Sequence, residues 1–236
     1  MLLRNLQRAQ LHPPARMGFM DGPESIDLDS WPRREHFSHY LEAVPCTYAL
    51  TVELDVTAFA AALRGSAHKT YLAQIWALAS IVNRHAEFRT CLTDSGTPAV
   101  WPRLDPAFTV FNEERGTFAV VWTPYTPDFG VFHEAAAALL AQHRTATVFS
   151  PQGEQPANTF DVSSLPWLSF TGFTLQIRNG WDHLLPIFTL GRYIERNGNT
   201  YMPVAVQVHH AVADGFHTSR LLNELQALLA DPSWAN

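Results

Sequence analysis

Cysteine and charge are both scarce in this chain. Only Cys46 and Cys91 occur in 236 residues, and neither belongs to a C-x-x-C pair. That excludes a disulfide-stapled scaffold and a zinc ribbon, and it fits two buried thiols in a reducing cytoplasm. Charged residues make up 16% of the sequence, the net charge is -6, and Lys and Arg form no block. Nothing in that balance attracts nucleic acid or an anionic membrane. No apolar run approaches the roughly 20 residues that cross a bilayer. Repeats, long Gly/Ser linkers, G-x-G-x-x-G and Walker loops are also missing.

What the chain does have is apolar content, at 47%, and a length sufficient to bury a large core. Met1 to about Met20 carries Arg4, Arg8, Arg16 and Pro13-Pro14 without a sustained apolar stretch. It does not resemble a secretory signal. Residues 1–20 read as a flexible leader or an added extension, with Met17 and Met20 as alternative starts, and residues 21–236 as one domain.

Periodicity places the elements. Tyr48, Leu50, Val52 and Leu54 alternate with mostly polar neighbours, which predicts a half-buried strand. Asp55 and Thr57 are placed to cap the helix that follows, with Val56, Phe59, Ala60 and Leu63 on it. Tyr71–Arg84 is apolar on almost every face and predicts a central buried helix. Strands are expected at Phe108–Phe111, Thr117–Thr123, Leu168–Ile177 and Leu185–Tyr193, and a helix at Phe132–Arg144. Near the C-terminus, Val204, Val206 and Val208 alternate in a strand beginning near Tyr201. Leu221, Leu222, Leu225, Leu228 and Leu229 then mark an amphipathic helix that ends before Asp231-Pro232.

Between that strand and that helix lie His209, His210, Asp214 and His217, with Gly215 breaking the pattern. Three readings compete. A buried polar turn without chemistry is one. A metal site is another, but Gly215 interrupts any helix that would align His210 with Asp214, and no H-E-x-x-H stands elsewhere. The third is general-base catalysis: a neutral imidazole accepts a proton at physiological pH and returns it later, given a fixed tautomer. A turn at a strand's end is where mixed α/β proteins commonly place such groups.

The run Gln207-Val208-His209-His210-Ala211-Val212-Ala213-Asp214-Gly215-Phe216-His217 resembles the active-site signature of chloramphenicol acetyltransferases. Its H-H-x-x-x-D-G core is shared with dihydrolipoamide acyltransferases and peptide-synthetase condensation domains. Trp31-Pro32-Arg33-Arg34-Glu35-His36-Phe37 narrows the resemblance to the first of these families. Cys46-Thr47-Tyr48, Phe108-Thr109-Val110-Phe111, Pro151-Gln152-Gly153 and Val162-Ser163-Ser164-Leu165-Pro166-Trp167 follow in the family's order.

The resemblance implies a mixed α/β acyltransferase fold and a closed homotrimer with a site at each subunit boundary. It assigns His210 as the base, with the imidazole held by its own backbone carbonyl. Asp214 would pair with Arg33 to lock the turn, and the Ser163 hydroxyl would support the oxyanion of the tetrahedral intermediate. A serine nucleophile is the chemical rival, but no G-x-S-x-G elbow is present. Tyr40, Cys46, Tyr48, Phe118, Leu175 and Thr189 match positions of an apolar acceptor pocket. Ser150 is a departure, because the family often has an aromatic residue before P-[QK]-G, and here Phe149 lies one position earlier. His39 differs from a common apolar choice. For coenzyme A, Lys69 and Arg192 match positions near the phosphates, with Tyr71, Trp167 and Tyr193 nearby; no metal is implied. The expected activity is acetyl transfer from acetyl-CoA to the primary hydroxyl of chloramphenicol, conferring resistance. Another hydroxyl acceptor and a non-catalytic drug-sequestering homologue remain as alternatives.

Overall fold

A computed structural model describes residues 22–176 and 183–235. The chain begins with β1 (Glu24–Ser25), α1 (Arg34–Ser38) and a single π-helical turn at His39–Ala43. There follow β2 (Thr47–Asp55), α2 (Thr57–Leu63), α3 (Thr70–Val82), β3 (Thr90–Leu92) and β4 (Pro98–Val100). The middle of the chain holds β5 (Asp105–Asn112), β6 (Thr117–Trp122), α4 (Phe129–His143) and β7 (Thr159–Leu165). It closes with β8 (Ile187–Gly191), β9 (Ile194–Arg196), β10 (Asn199–His209) and α5 (Gly215–Ala230).

Seven strands form one mixed sheet in the order β2-β10-β8-β7-β5-β6, with β9 added against β10. Pairing is parallel at β5–β7 and β7–β8 and antiparallel elsewhere in that sheet. A small separate sheet joins β1, β4 and β3.

The pleat gives the large sheet two chemically different faces. Val204, Val206 and Val208 point to one face, along with Phe188, Leu190, Val162, Phe108 and Val121, and all are at most 2% exposed. The helices pack there. In α3 every residue from Leu72 to Val82 is buried, so it forms the spine of the core. Each fully buried Phe in this cluster, such as Phe59, Phe108 or Phe188, contributes about 2 kcal/mol through removal of apolar area from water. On the other face stand Ser163, Thr189 and Ala205, which are directly opposite one another in register. The irregular segment 173–175 crosses this face: the Phe173 N–H donates to Thr51 Oγ1 and the Leu175 N–H to Gln207 Oε1.

Two local expectations change. The strand expected at Leu168–Ile177 is absent over 168–176, and Ile177 lies outside the described residues. Side-chain acceptors, Thr51 and Gln207, take the N–H groups that a ladder would have used. The first helix after β2 has Val56 at its N-cap; Asp55 instead accepts from the Thr57 N–H at 2.9 Å. The leader expected at residues 1–20 lies outside the described residues.

Gly191 ends β8 where a Cβ would meet Phe170 at 3.0 Å and Pro203 at 3.1 Å, so only glycine fits without displacement. In the Pro151-Gln152-Gly153 turn, Gly153 has φ +94 and its N–H donates to the Ser150 carbonyl. The turn carries Gln152 back onto β6, where its amide both accepts from the Trp122 N–H and donates to the Trp122 carbonyl.

Candidate active site

His210 follows the last residue of β10, and its N–H donates to the Cys46 carbonyl at 3.0 Å, extending the β2–β10 ladder by one bond. The chain then turns through Ala211–Ala213, all buried, into α5. Asp214 caps that helix, accepting from the Phe216 N–H at 3.0 Å. A strand end and a capped helix start therefore fix both ends of a five-residue turn.

Arg33 grips the turn from the start of α1. Its Nη2 donates to the His210 carbonyl at 2.8 Å, its Nε to the Ala211 carbonyl at 2.7 Å, and its Nη1 to Asp214 Oδ2 at 2.9 Å. The Arg33 side chain is 12% exposed. Burial alone would push the Asp214 carboxyl up, but Arg33 and His217 more than offset it and hold it well below the usual carboxylate range. His217 Nδ1 lies 2.8 Å from Asp214 Oδ1.

Aromatic rings fix the imidazole itself. Tyr40, on the π-helical turn, stacks on His210 with centroids 3.9 Å apart and planes 6° from parallel. The Tyr48 ring meets it edge-on at 5.2 Å, and the Tyr48 hydroxyl is anchored to Thr218 Oγ1 at 2.6 Å. Burial pushes the Tyr48 phenol up. His210 Nδ1 is buried and receives no hydrogen bond from another described residue. Cys46 contributes its carbonyl, while burial pushes its thiol up, away from thiolate chemistry. His39 is exposed and meets Tyr40 edge-on.

Ser163 belongs to a second cluster. Its Oγ lies 3.0 Å from Thr189 Oγ1 and 3.4 Å from the Phe188 carbonyl oxygen. Nearby on the sheet, Phe118 is 50% exposed and meets Phe149 edge-on at 5.9 Å. The Phe149 carbonyl accepts from the Val120 N–H at 2.7 Å, so the ring at 149, beside the exposed Ser150, lies against Phe118. Leu175 is 41% exposed.

The two clusters do not meet. Ser163 is level with Ala205 on β10, through Thr189, and His210 lies five residues further along. At about 3.3 Å per residue and about 4.8 Å per strand, the two backbones are roughly 19 Å apart.

A third feature is a cavity of about 680 Å³ on which Lys69, Tyr71, Trp167, Ser164 and Arg144 converge. Burial pushes the Tyr71 phenol up to about 12, and its hydroxyl lies 3.4 Å from the Thr109 and Val162 carbonyl oxygens. Trp167 packs edge-on against Phe111 at 4.7 Å. Arg192 and Tyr193 are not part of this lining. Arg192 is exposed, and the Tyr193 hydroxyl accepts from Gln74 Nε2 at 2.8 Å. Arg144 was not singled out by the sequence, and His217, though one of the four clustered donors, was given no role; its i,i+3 spacing from Asp214 was the available signal. Among the described residues no group of three or more His, Cys, Asp or Glu is arranged to hold a metal ion. No helix there is long and apolar enough to cross a membrane.

Comparison with known proteins bears on the same elements. The family model described as chloramphenicol acetyltransferase matches residues 22–226. A chloramphenicol acetyltransferase of Streptomyces acrimycini is 70% identical over 212 residues, covering 90% of this chain and 96% of that protein. One from Clostridium perfringens is 40% identical over 206 residues, covering 87% and 94%. A solved chloramphenicol acetyltransferase structure superposes with a TM-score of 0.77 at 22% identity, covering 88% of this chain and 100% of the other. At that identity the superposition speaks for the fold alone.

Proposed function

The chain belongs to the chloramphenicol acetyltransferase family, and we propose that His210 is the base with which it acetylates its antibiotic substrate. It is an acyltransferase, and its activity is acetyl transfer to chloramphenicol. The finer reading is transfer from acetyl-CoA to the primary hydroxyl, conferring resistance, by one domain spanning residues 21–236 that works in the cytoplasm as a homotrimer.

The clamp on His210 is the observation that carries this reading. Arg33 fixes the backbone on both sides of the His210–Ala211 peptide, and Tyr40 fixes the ring plane. With Nδ1 buried, Nε2 is the nitrogen left to face a substrate. The family resemblance implies that an Nδ1 proton is held by the His210 carbonyl, which would keep the ring in the tautomer that leaves Nε2 basic.

In this scheme His210 Nε2 takes the hydroxyl proton as that oxygen attacks the acetyl carbon, and returns it to the sulfur as the carbon–sulfur bond breaks. An alcohol is too weak an acid for histidine to ionise beforehand, so proton transfer accompanies attack. Ser163 Oγ donates to the oxygen on which negative charge develops. Asp214 and Arg33 act through the turn rather than as a relay.

The cavity of about 680 Å³ fits the acetyl donor: it has aromatic residues at Tyr71 and Trp167 and cationic residues at Lys69 and Arg144. When bound, acetyl-CoA supplies the acetyl group as an activated thioester. Arg192 and Tyr193 would contact it beyond the cavity.

Because Ser163 and His210 of one chain stand roughly 19 Å apart, a base with a reach of about 3 Å cannot share a reacting centre with that serine. A second copy brings them together: His210, Tyr40, Cys46 and Tyr48 from one subunit would face Ser163, Phe118, Thr189, Leu175 and Ser150 of the next. A closed ring of three makes every such boundary alike. Phe149, lying against Phe118, keeps an aromatic wall for the nitrophenyl ring despite Ser150.

The test is spectrophotometric thiol release with acetyl-CoA and chloramphenicol. The wild type turns over and His210→Ala loses about 10²–10⁴-fold. Tight drug binding without thiol release would instead establish sequestration, and turnover only with other alcohols would establish a different acceptor.

A further inference from the structure

Thr218, on the first turn of α5, is 0% exposed, yet its hydroxyl stands between two polar partners. Thr218 Oγ1 lies 2.6 Å from the Tyr48 hydroxyl and 3.2 Å from the Asp214 carbonyl oxygen. The Thr218 N–H donates to that same carbonyl at 3.0 Å, so the helix is satisfied there without the hydroxyl. The shorter contact is the one to Tyr48, 170 positions away in sequence.

The order of protons follows from the partners. A carbonyl only accepts, and a threonine hydroxyl has a single proton to give. With that proton directed to Asp214, the 2.6 Å contact is made by the Tyr48 hydroxyl donating to Thr218. Burial pushes the Tyr48 phenol up, so it keeps the proton that this bond requires. A one-way chain from Tyr48 through Thr218 to the Asp214 carbonyl uses both hydroxyl protons. The phenol proton is thereby committed to α5 and does not compete for a nitrogen of His210.

Two tyrosine rings bound the His210 imidazole. Tyr40 stacks on it with planes 6° apart, and Tyr48 meets it with planes 69° apart. A parallel stack resists displacement in one direction, and a second ring so inclined resists another. The second wall holds only if Tyr48 is itself fixed, and the bond to Thr218 fixes the far end of its ring. The first turn of α5 thus reaches His210 by two routes. Asp214 acts through Arg33 on the backbone, and Thr218 acts through Tyr48 on the ring.

We propose that Thr218 is a positioning residue for acetyl transfer, its hydroxyl directing the Tyr48 phenol proton and holding the Tyr48 ring against His210. This rests on His210 as the base and adds a residue that acts on it through Tyr48.

The experiment is steady-state thiol release by the full-length protein, with both substrates varied. Thr218→Val keeps the branched shape and removes the hydroxyl; it should lower kcat about 5- to 10-fold and leave KM for acetyl-CoA unchanged. Thr218→Ser restores the hydroxyl and should return most of kcat. Tyr48→Phe removes the same bond from its other side and should show the same fall. Adding Thr218→Val to Tyr48→Phe should then cost nothing further, because the phenol through which it acts is gone. Wild-type kcat in Thr218→Val, an equal fall with and without the Tyr48 hydroxyl, or a fall that Thr218→Ser does not repair would overturn the positioning role. His210→Ala in the same assay separates the two readings. If it keeps wild-type kcat, the base and the positioning role are removed together; if it is inactive while Thr218→Val is unimpaired, the positioning role alone is removed.

Discussion

Arg33 Nη2 donates to the carbonyl of His210 at 2.8 Å, although 177 residues separate the two in sequence. The same guanidinium reaches Ala211 and Asp214, so one side chain from the start of the chain determines where the imidazole near its end can point. Its planar fork of donors suits that task in a way a lysine ammonium does not.

Arg33→Lys should therefore behave as a damaging change. It should lower kcat by about 10-fold or more while leaving KM for acetyl-CoA near its wild-type value. Steady-state kinetics with both substrates varied would check this.

The Arg33–Asp214 pair also makes stability depend on pH. Asp214 is held below its ordinary range, so it favours the folded state above the unfolded carboxyl value of about 3.9, and that contribution is lost as pH falls below it. Arg33→Met should destabilise the protein by about 2 kcal/mol at pH 7, discounted for an Asp214 side chain that is 35% exposed. Denaturant unfolding of both proteins should show that gap narrowing below about pH 4.

Tyr40 offers a test of ring orientation. Tyr40→Phe keeps the parallel stack on His210 and should retain most of kcat. Tyr40→Ala removes an interaction worth about 1 kcal/mol beyond burial and frees the imidazole to rotate, which should lower kcat by about 10-fold. Equal effects of the two substitutions would assign the role to the hydroxyl.

Ser163→Ala should lower kcat by about 10²–10³-fold without a comparable change in either KM, because a donor to developing charge acts in the transition state. Stopped-flow thiol release at saturating substrates is the appropriate measurement.

The C-terminal strand, turn and helix were legible in the sequence because each level agrees: alternating valines, a glycine that breaks the pattern, then leucines at helical spacing. The buried helix α3 was legible for the same reason. Residues 168–176 misled, because their apolar content reads as a strand while their N–H groups bond to Thr51 and Gln207. Such long-range side-chain acceptors leave no local signal. Gathering His210, Tyr40, Cys46 and Tyr48 into one cluster could be expected from the family resemblance, but their distance from Ser163 depends on strand order and register, which alternation does not encode. Arg144 was silent because a single arginine ending an alanine-rich helix looks like any solvated charge.

Mixing inactive variants tests the two-chain site most directly. Co-expressed His210→Ala and Ser163→Ala chains, purified as mixed assemblies, should regain activity at about one site in three, since a ring of two chains of one variant and one of the other has a single boundary with both His210 and Ser163 intact. Thiol release near that level, far above either variant alone, is the predicted result. Activity no greater than that of the separate variants, from assemblies shown to contain both chains, would contradict a site shared between copies.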